Sequence, residues 1–148
     1  TEKEIEGALI DKLQHFLLEL GKGFTFFARQ YRISTETDHF YIDLVFYNYI
    51  LKCFLLIDLK AGQLKHQDIG QMDMYRRMFD DLKKPEGDNP TIGIILCADR
   101  NETVVKYSIL KDNGNLFATK FMPYLPTEEE LVKEIEAGRK QLENNDNK

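Results

Sequence analysis

The spacing of apolar residues along the chain predicts which segments form helices and which form strands. Near the start, apolar residues recur every three or four positions, which indicates an amphipathic helix that ends at Gly21 and Gly23. These residues are Ile5, Leu9, Leu13, Phe16 and Leu20. Residues 24–33, 40–47 and 52–60 then show strand character. The link 48–51 is short, so we expect the second and third strands to form an antiparallel hairpin.

The second half of the chain continues the alternation. Helical spacing returns at residues 67–82, and prolines follow at positions 85 and 90. Residues 91–98 form a continuous apolar run, which is typical of a strand covered on both faces of a sheet. Residues 102–110 fit either period and we favour a short helix there, while 116–122 are predicted to form a weaker final strand. This order predicts an α/β fold with a mixed central sheet flanked by helices.

Two aspartates interrupt strands that are otherwise apolar. Asp43 lies within FYIDLVFY at 40–47, and Asp58 lies within FLLIDLK at 54–60. A buried carboxylate costs several kcal/mol unless it is paired or binds a metal, so each needs a partner. Strand alternation puts Asp58 and Lys60 on one face. If Tyr47 pairs with position 52, Asp43 lies diagonal to Asp58 within about 7–8 Å, and a register shift of two keeps them together.

Glu6 is a third acid in an unexpected place, because it falls on or beside the apolar stripe of the first helix. It can therefore face the sheet. Three carboxylates and one amine that converge on one spot suit a hard divalent cation such as Mg²⁺, which prefers oxygen ligands. Beside such an ion, the ammonium group of Lys60 can stabilise the hydroxide that attacks a phosphate.

The order of these acids and the lysine resembles the E…D…(D/E)XK signature of PD-(D/E)XK nucleases. Longer motifs, spread over roughly residues 4–136, resemble the C-terminal domain of YhcG-like bacterial proteins. They are GKGF at 21–24, RQYRI at 29–33, YIDL at 41–44, IDLK at 57–60, GQM at 70–72 with Tyr75, and LPTEEEL at 125–131. Asp at position 58 is an accepted alternative to Glu in this superfamily.

The resemblance implies a restriction-endonuclease-like core that hydrolyses DNA with Mg²⁺ or Mn²⁺, with branched or damaged DNA among the expected substrates. Asp43, Asp58 and Glu6 would bind the metal, and Lys60 would assist the attacking water. Gln71 would lie beside the site, with Tyr75 one helical turn further on. The resemblance also implies an upstream helical or winged-helix-like domain, and because the chain begins at Thr1 we interpret it as part of a longer protein.

We expect the chain itself to form a single domain. Its core would span about residues 4–126, followed by a C-terminal helix at 127–142 and a frayed tail at 143–148. Another copy of the chain, in a homo-oligomer, is a further candidate partner. The second class of function is a non-catalytic module that keeps the nuclease fold to bind nucleic acid or to assemble with the upstream domain.

Each site residue also has an ordinary structural explanation. Asp58 and Lys60 would suit a strand that emerges into water, and Glu6 would be favoured in the first turn of a helix by its dipole. Gln71 and Tyr75 share a helix face and could simply pack. The conjunction of these residues, rather than any one of them, favours the nuclease. A scaffold gains nothing from buried carboxylates.

Charge limits how the chain can contact nucleic acid. The formal net charge is −5, and residues 128–148 contribute seven acidic and four basic residues. The remainder has 18 acidic and 16 basic residues, so any DNA contact must be local or metal-assisted. Candidate contacts are Arg29, Arg32, Lys22 and Tyr75, with Lys52, Lys65 and Lys106 as a further rim. Arg29 and Arg32 alternate on their strand, so only one of them would face the site.

Other features exclude several classes of protein. The longest fully apolar run, 53–57, is far too short to cross a bilayer, and we expect a cytoplasmic protein. Cys53 and Cys97 lie in strand-like runs, where reduced and buried thiols are expected. The three histidines lack the spacing of metal ligands. Neither serine lies in a nucleophile elbow, so acyl-transfer chemistry has no candidate.

Overall fold

One mixed sheet and three long helices form the described part of the chain, which comprises residues 2–99, 102–110 and 117–146 of the computed structural model. The elements are α1 (Glu2–Glu19), β1 (Phe24–Ser34), β2 (His39–Asn48), β3 (Cys53–Ala61), α2 (His66–Leu82), β4 (Ile92–Ala98), β5 (Thr103–Ser108) and α3 (Glu128–Asp146). A π-helical turn, Phe117–Phe121, and a 3₁₀ turn, Met122–Tyr124, precede α3.

The sheet combines antiparallel and parallel pairing in the order β1-β2-β3-β4-β5. β1, β2 and β3 pair antiparallel through short turns, and the α2 crossover then sets β4 parallel to β3. β5 turns back and pairs antiparallel with β4. The predicted α/β architecture with a mixed, helix-flanked sheet is confirmed.

The two faces of the sheet carry two separate apolar cores. On one face, Leu55, Ile57 and Leu59 of β3 pack with residues of α1 and α3. On the other, Phe54 and Leu56 pack with residues of α2. Because β3 is covered on both faces, its sequence is a nearly continuous run of apolar residues. The same alternation directs Asp58 and Lys60 to the α2 side of the sheet.

The prediction of a short helix at 102–110 was wrong, because residues 103–108 form the edge strand β5. Thr103, Val104 and Val105 are β-branched, and such residues lose less side-chain freedom in a strand than in a helix. The strand also satisfies the free edge of β4, with which it pairs from Gly93↔Ser108 to Ala98↔Thr103. Pairing with β4 therefore selected a strand at a segment where the spacing of apolar residues fits a helix and a strand equally well.

The prediction of a final strand at 116–122 was also wrong within the described residues, which begin again at position 117. Phe117 and Phe121 lie four positions apart on one side of a π-helical turn, and their ring centroids are 6.3 Å apart. Pro123 is the second residue of the 3₁₀ turn that follows and has no N–H group to donate to a sheet. β4 is paired with β3 on one side and with β5 on the other, so it offers no edge to a strand at 117–122.

Two further details differ from the sequence prediction. α3 continues to Asp146, four residues beyond the predicted end at 142. In the β2–β3 hairpin, Tyr47 pairs with Phe54 instead of position 52, a shift of two residues. That shift keeps the predicted faces and brings Asp43 level with Asp58.

The environment of the cysteines agrees with the sequence. Cys53 and Cys97 are buried and form no disulfide, which confirms the prediction of buried free thiols. Within the residues that the structure describes, none of the helices combines the length and the apolar character that a membrane span requires.

Asn48 holds the turn between β2 and β3 and is fully buried. Its Oδ1 accepts hydrogen bonds from the backbone N–H groups of Ile50 and Leu51, at 3.0 and 2.9 Å. Its Nδ2 donates to the carbonyl of Lys22, at 3.1 Å. One amide thus ties the hairpin turn to the segment that enters β1.

Replacing Asn48 by Ala should lower the free energy of unfolding by about 2–3 kcal/mol, since buried backbone groups lose their partner. Urea denaturation measures the change. The matched control is Thr25→Ala, which removes an exposed hydroxyl bonded to the carbonyl of Tyr47 and should cost less than about 0.5 kcal/mol. Equal effects of the two substitutions would contradict the role given to Asn48.

Candidate active site

Asp43 and Asp58 lie where β2 separates from β3. The backbone pairing of the two strands ends at Leu44↔Ile57, one residue before both aspartates. Beyond it, the N–H of Asp43 donates to Oδ1 of Asp58 at 3.1 Å, and the N–H of Leu59 donates to Oδ2 of Asp43 at 2.8 Å. Side-chain carboxylates therefore accept the hydrogen bonds that backbone carbonyls would accept in a continuing ladder. The two acids are adjacent, as the hairpin pattern predicted.

The face alternation of β2 changes at this point. Ile42 and Val45 both pack in the α2-side core although they are three positions apart, so the two-residue period is broken between them. On β1, Gln30 lies level with Asp43 and has a left-handed backbone, with φ of 50°. Its Nε2 donates to Oδ1 of Asp43 at 2.9 Å. The only signal for Gln30 in the sequence was its place in the RQYRI motif, so it was not predicted as a site residue.

Burial dominates the electrostatics of Asp58, whose residue is only 5% exposed. Desolvation raises the pKa of its carboxyl to about 6 from the ordinary 3.8. The hydrogen bond from the Asp43 backbone and the charge of Lys60 oppose this rise, while the Asp43 carboxylate adds to it. The site therefore places the poorly solvated carboxyl group of Asp58 beside a second carboxyl group. Such a site favours cations.

Lys60 and Gln71 meet on the same side of the sheet. The Nζ of Lys60 donates to Oε1 of Gln71, on α2, at 3.1 Å. One turn further along α2, Tyr75 is 2% exposed and its ring packs against Phe40, with centroids 6.0 Å apart. Burial, and then the charges of Asp58 and Asp43, raise the pKa of Tyr75. Its ring thus belongs to the core beneath the carboxylates.

Glu6 reaches the same end of β3 from the α1 side. It is half-buried and lines a cleft of about 360 Å³ together with Lys60, Asp99 and Arg139. Lys60 is thus adjacent both to this cleft and to Gln71 on α2. Among the described residues, no group of three or more His, Cys, Asp or Glu side chains is arranged to hold a metal ion.

The two aspartates nevertheless fit a divalent cation. Mg²⁺ is commonly bound by one or two carboxylates and completes its shell with water and substrate phosphate oxygens. Asp43 and Asp58 supply hard oxygen donors at adjacent strand ends, and both carboxylates are oriented by N–H donors. They are the residues that would hold such an ion.

The predicted basic contacts are distributed unevenly around the site. Arg29 forms an ion pair with Asp11 of α1 and also donates to the carbonyl of Gly7 at 3.2 Å. Arg32 is exposed and its guanidinium lies 3.0 Å from the ring nitrogens of His39. Lys22 lies near Asn48, five residues along β2 from Asp43, which corresponds to about 16 Å.

Comparisons with known proteins agree with this geometry. The family model for the YhcG PDDEXK nuclease domain matches residues 1–136. The chain is also 35% identical, over 135 residues, to a protein of Escherichia coli (strain K12) named "Putative nuclease YhcG". That alignment covers 91% of the chain and 36% of the relative. The chain thus spans about a third of the length of the relative that it matches.

The raised pKa of Asp58 predicts how stability depends on pH without metal. Between the ordinary pKa of 3.8 and the raised pKa of about 6, the folded state keeps a proton on Asp58 that the unfolded state releases. The stability that Asp58 contributes is therefore fully present below pH 4 and is lost as the pH rises to about 6. Asp58→Asn lacks the group. The free energy of unfolding is measured with urea in EDTA for both proteins. The value for Asp58→Asn minus the value for wild type should therefore increase by about 2–3 kcal/mol from pH 4 to pH 7.

The control for this pH series is Asp38→Asn, which removes an exposed carboxylate from the turn between β1 and β2. It should keep the pH dependence of wild type. Parallel curves for wild type and Asp58→Asn would show that Asp58 is solvated, in conflict with its burial.

Proposed function

The chain belongs to the YhcG PDDEXK nuclease domain family, and we propose that it is an endonuclease that hydrolyses DNA phosphodiester bonds with Mg²⁺ or Mn²⁺. One observation carries this proposal. Asp58 is buried beside Asp43 where two strands separate, and Lys60 follows two residues later on the same face. A carboxylate in such a place is costly for the fold, and cation binding offsets that cost.

In this proposal Asp43 and Asp58 hold the divalent ion, and Glu6, which lines the cleft on the opposite face of β3, adds negative charge near the site without being a third direct ligand. When bound, the ion supplies positive charge for the scissile phosphate and acidifies a water. The protein supplies the geometry. The N–H groups of Asp43 and Leu59 and the amide of Gln30 fix the carboxylates before any ligand arrives, so little reorganisation is needed.

Lys60 is proposed to act on the attacking water. Gln71 accepts a hydrogen bond from Nζ and so fixes the direction of a long, flexible side chain. Nζ then has two further N–H groups that can orient the water and stabilise the negative charge that develops as its oxygen bonds to phosphorus. The attacking water loses its proton to solvent, the P–O bond to the leaving sugar oxygen breaks, and that oxygen takes a proton from solvent.

The substrate contact is proposed for the part of the β1–β2 hairpin that extends beyond β3. Past Asp43, β2 pairs with β1 alone, through Arg32↔Tyr41 and Ser34↔His39. Tyr41 is 55% exposed and lies two residues from Asp43. Arg32 and Tyr41, side by side, can contact a phosphate and an unstacked base next to the carboxylates. This arrangement suits branched or damaged DNA, in which bases are already unpaired.

Cleavage of supercoiled plasmid by the chain tests the proposal. Asp58→Ala and Lys60→Ala should each lower the rate by about 10²–10³-fold or more with Mn²⁺, while circular dichroism stays native. Lys133→Ala removes an exposed lysine of α3 and is the matched control, expected to cut like wild type. Full activity of Lys60→Ala, or cleavage that persists in EDTA, would refute the mechanism. DNA binding without any cleavage would instead favour the non-catalytic module.

Binding to a fluorescent four-way junction and to linear duplex tests the proposed contact surface. Binding should weaken steadily with salt, with a slope that corresponds to about two to four phosphate contacts, because the rest of the chain is nearly neutral. Arg32→Ala should reduce that slope by about one, whereas Lys133→Ala should leave it unchanged. An unchanged slope in Arg32→Ala would remove the hairpin from the interface. Equal affinity for both DNA forms would argue against preference for branched DNA.

A further inference from the structure

Gln30 has a backbone conformation that its position does not explain. Among the described residues other than glycine, Gln30 and Lys52 have positive φ, of 50° and 53°. Lys52 lies in the turn between β2 and β3, where a left-handed residue helps to reverse the chain. Gln30 lies in the middle of β1, where residues normally have extended backbone. Strained backbone of this kind persists when surrounding interactions hold it, and it concentrates at functional sites.

The hydrogen bonds around Gln30 show what the conformation achieves. The neighbouring pairs Arg29↔Leu44 and Tyr31↔Ile42 set Gln30 directly opposite Asp43. Its side-chain amide donates to Oδ1 of Asp43 at 2.9 Å, while the N–H of Leu59 donates to Oδ2 at 2.8 Å. Each oxygen of this carboxylate therefore has a donor of its own. Together the two donors restrict rotation of the carboxylate about its Cβ–Cγ bond.

We propose that Gln30 is a positioning residue that orients the Asp43 carboxylate for divalent-cation binding, and that the left-handed backbone serves to bring its amide to that oxygen. The inference rests on the proposed function, since it assumes that Asp43 binds the ion. It gives Gln30 of the RQYRI motif a role of its own, distinct from the phosphate contact proposed for Arg32 of the same motif.

A neutral donor is the appropriate chemistry for this task. An Arg or Lys at position 30 would also reach toward Asp43, but its charge would neutralise the carboxylate and repel an incoming cation. An amide orients the oxygen while the negative charge remains. Residues that orient metal ligands in this way typically contribute 10–100-fold to metal affinity.

A purely structural role for Gln30 is the alternative. β1 is an edge strand with a bulge between Phe26 and Ala28, and irregularities at edges protect sheets from unwanted pairing. In that case the left-handed backbone of Gln30 would protect the sheet edge, and its side-chain amide would have no effect on Asp43. The two roles therefore respond differently to substitutions that separate the amide from the backbone.

The experiment uses three variants of the chain. Gln30→Met keeps the length of the side chain and removes the donor. Gln30→Gly removes the donor and also relaxes the left-handed backbone, so it remains folded if Gln30→Met does not. Lys52→Gly relaxes the other left-handed residue, which lies at the turn end of the β2–β3 hairpin, away from Asp43, and serves as the matched control.

Two measurements decide the matter. In EDTA, hydrogen exchange of the Leu59 amide, followed by NMR, should be about 2- to 10-fold faster in both Gln30 variants, because Asp43 accepts that hydrogen bond less well once it can rotate. Calorimetric titration with Mn²⁺ should give a Kd about 10-fold or more above that of wild type. Lys52→Gly should match wild type in both measurements.

The possible failures are distinguishable. If wild type binds Mn²⁺ and the Gln30 variants match it within twofold in Kd and in Leu59 exchange, the positioning role is overturned while the proposed function stands. If Lys52→Gly shifts both quantities as much as Gln30→Gly does, the effect comes from backbone conformation in general, and the inference also fails. If wild type binds no Mn²⁺, the proposed function fails first and the inference falls with it.

Discussion

The replacement of backbone carbonyls by two carboxylates, where β2 leaves β3, is the interaction on which the rest of the site depends. A strand that ends its pairing inside a protein leaves N–H groups that need acceptors. Here Asp58 accepts from the N–H of Asp43, and Asp43 accepts from the N–H of Leu59. The same hydrogen bonds satisfy the backbone and orient the acids. Fold and candidate chemistry therefore share one set of contacts.

The separation of the strands has consequences on both sides of the sheet. Past this point, the β1–β2 hairpin extends without β3 and presents Arg32 and Tyr41 beside the acids. β3 continues instead along β4, which carries Lys60 toward Gln71 of α2. α2 packs closely against the sheet because β4 has a glycine at position 93: a Cβ there would lie 2.5 Å from Cγ of Met72. The placement of Gln71 thus relies on a close helix–strand contact.

The site also carries an energetic conflict that is typical of catalytic centres. Asp58 is almost completely buried, and its raised pKa shows that the folded chain disfavours its charge. Gln30 adds a left-handed backbone inside a strand. Both features reduce the stability of the metal-free fold, and in the proposed function both prepare the Asp43–Asp58 pair for a cation. Proteins retain such features where function requires them, and the large apolar cores on the two faces of the sheet offset the loss.

Sequence alone determined α1, the first four strands, α2, α3 and the α/β class. Apolar residues recur with a period of 3.6 in a helix and of 2 in a strand that is buried on one face, so their spacing identifies these elements. The sequence also predicted that Asp43 and Asp58 lie close together, because a register shift of two residues in the hairpin keeps facing positions on the same side of the sheet. Pairing with β4 and packing against α1 and α3 decided the rest. Residues 103–108 became a strand because β4 had a free edge, whereas Phe117–Phe121 form a π-helical turn that leads into the 3₁₀ turn containing Pro123. Glu6 approaches from the opposite face of the sheet from Asp58, and Gln30 contacts Asp43 through a left-handed backbone. Neither relation is encoded in local spacing, since both depend on how separate elements are held against one another in space.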